Sequence, residues 1–184
     1  DGFVSKSPLQ VLRLSFEGFE LGFLNPILDQ YDTEVFARVS GQVIMSELLA
    51  KPKYGIGLRT EQTLINDFAL GDLDLYSDWS LYTGVVNLSG QIEQEGVRKL
   101  DLTGQFVPDS LYSDMQLQLD RFDLNVLQPY MQGVITELRG ACRGQLELEG
   151  KLGDLSVNGQ VELPDAGFTL PVLNTDYQLQ DIPT

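Results

Sequence analysis

The sequence predicts an all-β protein: a curved antiparallel sheet carrying two short helices and built from two repeated units. Three observations lead there. Apolar residues recur at every second position over most of the chain, which is the period of a strand with one dry and one wet face. The sequence says nearly the same thing twice, at a spacing of 103 residues. Glycines fall on the apolar side of the strands, where an ordinary packed core would need side chains.

The alternation runs from one end of the chain to the other. Leu12, Leu14 and Phe16 alternate with Arg13, Ser15 and Glu17. Val86, Leu88 and Ile92 are set against Asn87, Ser89, Gln91 and Glu93, and Leu100, Leu102 and Phe106 against Asp101, Thr103 and Gln105. Later, Met115, Leu117 and Leu119 alternate with Gln116, Gln118 and Asp120. Leu146 and Leu148, then Leu155, Val157, Val161 and Leu163, continue the pattern, and Gly71 to Tyr76 alternates as well. Such segments join most simply as an antiparallel meander. Two stretches break the period, Leu24 to Tyr31 and Leu127 to Ile135. Pro26 and Pro129 lie near their starts, as in the first turn of a helix, so both read as short helices capping one edge or end of the sheet. Val107-Pro108-Asp109-Ser110 is the clearest turn, and Leu163 to Gly167 holds a second.

The repeat aligns without a gap when Leu14 is set over Leu117. Phe19 then falls on Phe122, Leu21 on Leu124, Leu24 on Leu127 and Pro26 on Pro129. Thr33-Glu34 meets Thr136-Glu137, and Gly41-Gln42 meets Gly144-Gln145. The expected organisation is a first β unit over residues 1–107 and a similar one over 108–184, both parts of one continuous elongated sheet. Function is then expected in an extended surface rather than a point site. Gly41, Gly90, Gly104, Gly144 and Gly159 fall in phase with the apolar residues, as a sheet bent around an open groove requires; the competing reading is bulges in a closed sandwich.

Composition excludes several classes. The formal net charge of −15 opposes binding to nucleic acid and to anionic lipid surfaces. With no histidine and one cysteine, Cys142, the usual zinc sets, Ser-His-Asp and Cys-His catalysis and an internal disulfide are all ruled out. No cofactor is expected, and no catalytic residue. No apolar run approaches the roughly 18–20 residues of a membrane-spanning helix. Asp1-Gly2-Phe3-Val4 is not a signal peptide and lacks an initiator Met, which reads as a fragment of something longer.

Other residues invite sharper readings. Asp72, Asp74 and Asp78 cluster as calcium ligands do, but without the glycine and distal glutamate of a calcium loop, so they read as wet-face residues. Glu147, Glu149 and Glu162 resemble paired glycosidase carboxylates yet lie in phase with solvated Gln and Asn. Tyr76, Trp79 and Tyr82 form the one aromatic cluster, either a pocket or sheet packing. Cys142 is in phase with Gly144 and Leu146 and reads as a buried, inert thiol.

An ordered set of motifs carries a family likeness. Leu-x-Leu-x-x-Phe-Asp-Leu-x-x-Leu-x-Pro runs from Leu117 to Pro129, and Gly-x-x-x-Gly-x-Leu-x-Leu-x-Gly from Gly140 to Gly150. Gly-x-Val-x-Leu-x-x-Ala-Gly-Phe follows from Gly159 to Phe168, and Leu-Pro-Val-Leu-Asn-Thr-Asp-Tyr-Gln-Leu-Gln-Asp from Leu170 to Asp181. The chain thereby resembles an internal segment of the TamB proteins of the AsmA-like superfamily, closely over the second unit and loosely over the first. That resemblance implies a periplasmic sheet folded lengthwise into an apolar trough (a β-taco), in a protein anchored in the inner membrane by a helix absent from this segment. It implies phospholipid acyl chains as cargo, a role in outer-membrane protein assembly, and a TamA-like outer-membrane barrel of the insertase family as partner. The residues expected to line the trough are Leu12, Leu14, Phe16, Val86, Leu88, Ile92, Leu100, Leu102, Phe106, Leu117, Leu119, Leu146, Leu148, Val157 and Val161. The alternatives are a structural or adhesive β module with a closed core, and a carbohydrate-binding domain centred on Trp79.

Overall fold

The computed structural model describes residues 11–31, 33–46, 53–80, 83–131 and 133–179. Nine strands form one antiparallel sheet in the order β1-β2-β3-β4-β5-β6-β7-β9-β10. They are β1 (Val11–Glu20), β2 (Val35–Ser46), β3 (Lys53–Ile65), β4 (Phe68–Trp79), β5 (Val86–Gln94), β6 (Val97–Val107), β7 (Tyr112–Asp123), β9 (Ala141–Lys151) and β10 (Asp154–Glu162). A second sheet of three short strands has the order β12-β11-β8, from β8 (Thr136–Arg139), β11 (Gly167–Leu170) and β12 (Thr175–Gln178). The large sheet is curved and does not close into a barrel. Every neighbouring pair in it is antiparallel, so the meander expected from the alternation is what forms. Two hairpins turn on residue pairs with positive φ, Asn66-Asp67 (47° and 69°) and Glu95-Gly96 (52° and 72°). A turn with both central residues in that region matches the right-handed twist of the flanking strands.

The sequence repeat is a repeat of hydrogen-bond register. Leu14 pairs with Val43, Phe16 with Gly41 and Phe19 with Val39. At the same offset, Leu117 pairs with Leu146, Leu119 with Gly144 and Phe122 with Cys142. Each first strand breaks register at the same place, between Phe16 and Phe19 and between Leu119 and Phe122, on positive-φ residues Gly18 and Arg121. The correspondence extends into the next strand: Gly41 pairs with Leu58 and Gly144 with Val161. The helical segment is clamped alike in both units, since the Val35 amide donates to Asn25 Oδ1 (2.9 Å) and the Leu138 amide to Gln128 Oε1 (2.6 Å).

The units part company after the helix. In the first, β2 and β3 pair along their whole length; in the second, Gly140 (φ 96°) and Asp165 (φ 56°) break both strands. The pieces beyond the break become β8 and β11, which pair with each other, β11 also pairing with β12, instead of continuing the large sheet.

The helical segments also depart from expectation. The first runs through residues 21–31 and the second through Leu124–Met131, each beginning three residues before the expected Leu24 and Leu127. Most of each is 3-10 helix rather than α-helix, and Pro129 lies inside its helix, not in the first turn. Pro26 does occupy the first turn of the single α-helical stretch. The tighter winding follows from the sequence: each segment leaves a strand directly on a Leu, and the first has no side-chain cap to start an α-turn earlier.

Candidate functional site

Residues directly opposite each other in an antiparallel pair point to the same face, so the register traces rows across the sheet. One row begins Phe16, Gly41, Leu58, Leu75 and Gly90, then continues through Leu102, Leu117, Leu146 and Gly159. Beside it run Leu14, Val43 and Ile56, then Ser77, Leu88 and Gly104, ending on Met115, Leu148 and Val157. A third row carries Ile92, Leu100, Leu119, Gly144 and Val161, and a fourth carries Trp79, Val86, Phe106 and Ser113. Leu12 lies opposite Met45. All the residues expected to line a trough are therefore on one face. Val43, Ile56, Leu58, Leu75 and Met115 join them there; Met115 shows the same alternation in sequence, while the others sit in strands whose bulges and glycines blur the period.

The opposite face is polar. Ser15, Gln42, Gly57, Tyr76, Ser89, Thr103, Gln116, Glu147 and Asn158 form its central row. Asp74 is held there by Arg59, whose Nε and guanidinium nitrogen donate at 2.6 and 3.0 Å, and by Gln91 Nε2 at 3.1 Å. The Arg59 hydrogen bonds hold the Asp74 carboxyl below its ordinary range against the opposing effect of burial. Asp74 is thus a buried ion-pair member rather than a solvated wet-face residue. Asp72 accepts from the Gln62 amide, and no group of three acidic or sulfur ligands comes together among the described residues. The glutamates Glu149 and Glu162 have separate partners: Glu162 pairs with Arg143 at 2.6 Å, and Glu149 accepts from the Tyr112 hydroxyl. That carboxylate raises the Tyr112 phenol above its usual range.

The aromatic cluster does not assemble as one surface. Trp79 shares a row with Val86 and Phe106 on the apolar face, while Tyr76 pairs with Gly57 on the polar face. The Trp79 Nε1 is buried and has no hydrogen-bond partner. Tyr82 lies outside the described residues.

Among the described residues the apolar face carries a buried hydrophobic cluster at one end. There Leu124 and Val126 of the second helical segment pack with Ile92, Leu119, Phe122, Cys142 and Ala166, flanked by Leu70, Leu73, Leu100, Leu138 and Leu146. Burial raises the Cys142 thiol above its usual range. Outside this plug Val39 is the one buried apolar side chain among the described residues, and the rest of the apolar side chains in the rows are half-buried or exposed. No large side chain among them is fully buried, and Val157 on the last strand is 59% exposed. The result is a trough: a polar outer wall, an apolar floor and a stopper at one end.

Glycine shapes the floor. A Cβ on Gly41, Gly104, Gly144 or Gly159 would collide with a carbonyl oxygen of the facing strand. Gly104 and Gly159 lie away from any register shift and serve close approach, while Gly41 and Gly144 face Phe16 and Leu119, where the two register shifts begin. No helix among the described residues is long and apolar enough to cross a membrane.

Comparison of the chain with models of protein families, with characterised proteins and with solved structures yields no match in any of the three.

Proposed function

We propose that this chain is a periplasmic segment of a TamB-like, envelope-spanning protein. Its trough conducts phospholipid between the inner and outer membranes or assists outer-membrane protein assembly. The observation that carries the reading is the apolar face of the sheet, continuous in register across nine strands, with its described side chains beyond the plugged end mostly half-buried or exposed. Such a surface offers acyl chains about 0.8 kcal/mol for each methylene removed from water. The polar wall supplies the wet rim at which a headgroup remains solvated. Movement along the floor needs no catalytic group, only apolar contacts of similar strength from strand to strand. In the longer protein, the floor would deliver its cargo to an outer-membrane barrel of the insertase family. The motif set from Leu117 to Asp181 supports that placement.

The test is native mass spectrometry of the purified chain with added phosphatidylethanolamine, alongside lipid extraction of material as isolated. Bound phospholipid, lost in a Leu148→Arg variant of unchanged circular dichroism, supports the trough. A chain that takes up no phospholipid under these conditions sinks it.

A further inference from the structure

Nothing in the fold calls for Gly55 and Gly57 of β3. Both keep register with β2, opposite Ile44 and Gln42, and neither has a positive φ. A Cβ added to either would make ordinary contacts, 3.6 Å from the Ser77 carbonyl oxygen on Gly55 and 3.5 Å from the Tyr76 ring on Gly57. This separates them from Gly41, Gly104, Gly144 and Gly159, where a facing carbonyl oxygen forbids a side chain. A strand glycine without bulge or steric demand weakens the strand and marks a place where another group approaches the backbone. Here the two glycines floor a recess of about 550 Å³ on the polar face, whose walls include Gln42, Ile44, Tyr76, Asp78, Asn87 and Ser89. That volume falls in the range of small-molecule sites.

Tyr76 stands at this recess with 54% of its surface exposed. From it a row of exposed hydrogen-bonding side chains crosses the sheet, Ser89, Thr103 and Gln116, one from each successive strand. A parallel row lies beside it, where Gln105 Nε2 donates to Asn87 Oδ1 at 3.3 Å. We propose that Tyr76 and the row Ser89, Thr103 and Gln116 bind a neutral β-1,4-linked glycan laid across the strands. The ring substituents of such a chain are equatorial. Each ring therefore offers an apolar C–H face to the Tyr76 ring and, at its edge, hydroxyl groups to the amide and hydroxyl side chains. Neighbouring strands lie about 4.8 Å apart, close to the length of one linked sugar ring, so successive rings meet successive strands in step. An extended peptide rises about 3.3 Å per residue and runs out of step with the same row. The net charge of −15 disfavours an acidic polysaccharide. The site lies on the face opposite the trough and stands whether or not the trough carries lipid.

The test is isothermal titration calorimetry of the whole chain with cellobiose, cellotetraose, chitobiose and chitotetraose. Expected is one-to-one binding of at least one tetraose with a Kd on the order of 1 mM or below, and weaker binding of its disaccharide. Tyr76→Ala should weaken the tetraose about tenfold, while Tyr76→Trp, which keeps an aromatic face, should retain it. Gln116→Ala should weaken the tetraose and leave the disaccharide unchanged, since only the longer chain reaches that strand. Both side chains are exposed, so the variants keep their circular dichroism spectrum. Failure of both tetraoses to bind overturns the proposal, as does binding that neither Tyr76→Ala nor Gln116→Ala weakens. A peptide of alternating Thr and Gln that binds more tightly than either tetraose would also overturn it, assigning the row to a protein partner.

Discussion

Gly144 and Gly159 lie diagonally across β9 and β10, opposite Val161 and Leu146 respectively. A Cβ on Gly144 would lie 2.1 Å from the Gln160 carbonyl oxygen, and one on Gly159 2.1 Å from the Gln145 carbonyl oxygen. Both have φ near the mirror image of an ordinary strand, 145° and 143°. A strand takes this backbone conformation against the facing carbonyl only where its own residue has no side chain. Gly144→Ala or Gly159→Ala should cost about 1–3 kcal/mol from the overlap alone, with further strain from the backbone angle. Gly153→Ala, in the β9–β10 turn with φ 97° and open space around it, carries only the angular strain. Urea denaturation of the three variants measures the difference; equal losses would remove the steric account.

Phe122 and Phe19 test how far the repeat is energetic as well as geometric. Phe122→Ala empties a buried site in the plug and should destabilise the fold by about 3–5 kcal/mol. Phe19→Ala, at an exposed position, should cost under about 1 kcal/mol. Chemical denaturation that gave equal losses would mean the plug contributes no packing of its own.

Asp74 makes part of the acid stability predictable. Its folded-state carboxyl titrates below its unfolded value because Arg59 and Gln91 bond to the charged form. A depressed folded value stabilises the fold above the ordinary carboxylate range, and this contribution is lost as pH falls through the folded value. Melting temperatures measured from pH 7 to pH 2 should fall for the native chain in that acidic window. In Asp74→Asn the melting temperature at pH 7 should be lower and this part of the acid-dependent fall missing. An unchanged pH profile in the variant would assign the acid sensitivity to other carboxylates.

Cys142 reports on the plug. The thiol is buried in the cluster with Phe122 and Val126, and burial keeps it protonated above its usual range. Ellman's reagent at pH 8 should therefore label it slowly in the folded chain and fully in urea. Rapid labelling of the folded chain would show that the plug opens readily. Val126→Asp, which places an unpaired charge in the cluster, should raise the labelling rate.

Much of this architecture was legible beforehand, and the reasons lie in particular residues. Leu117, Leu146 and Val161 announce their face because strand side chains alternate strictly, whatever the strands later pair with. The match of Phe16 and Gly41 with Leu119 and Gly144 could be read at a fixed offset because both units break register at the same place, so the alignment needs no gap. The helical boundaries were less legible: 3-10 turns have no strong capping signal, and Leu21 and Leu124 look like further strand residues.

The sequence by itself determined which residues share a face, that two units repeat in register, and that inner-face glycines let the sheet bend. These follow from local periodicity and backbone sterics, which each segment carries within itself. Only the tertiary structure decided what covers each apolar position. Phe19 and Phe122 are the same residue at matching positions of the repeat, yet Phe122 is 7% exposed and Phe19 51%. It also decided that Trp79 and Tyr76 serve opposite faces, that Asp74 is an ion-pair member, and that the second unit folds its strand ends into a separate small sheet. Burial and ion pairing depend on neighbours distant in the chain, and no local pattern encodes which neighbour arrives.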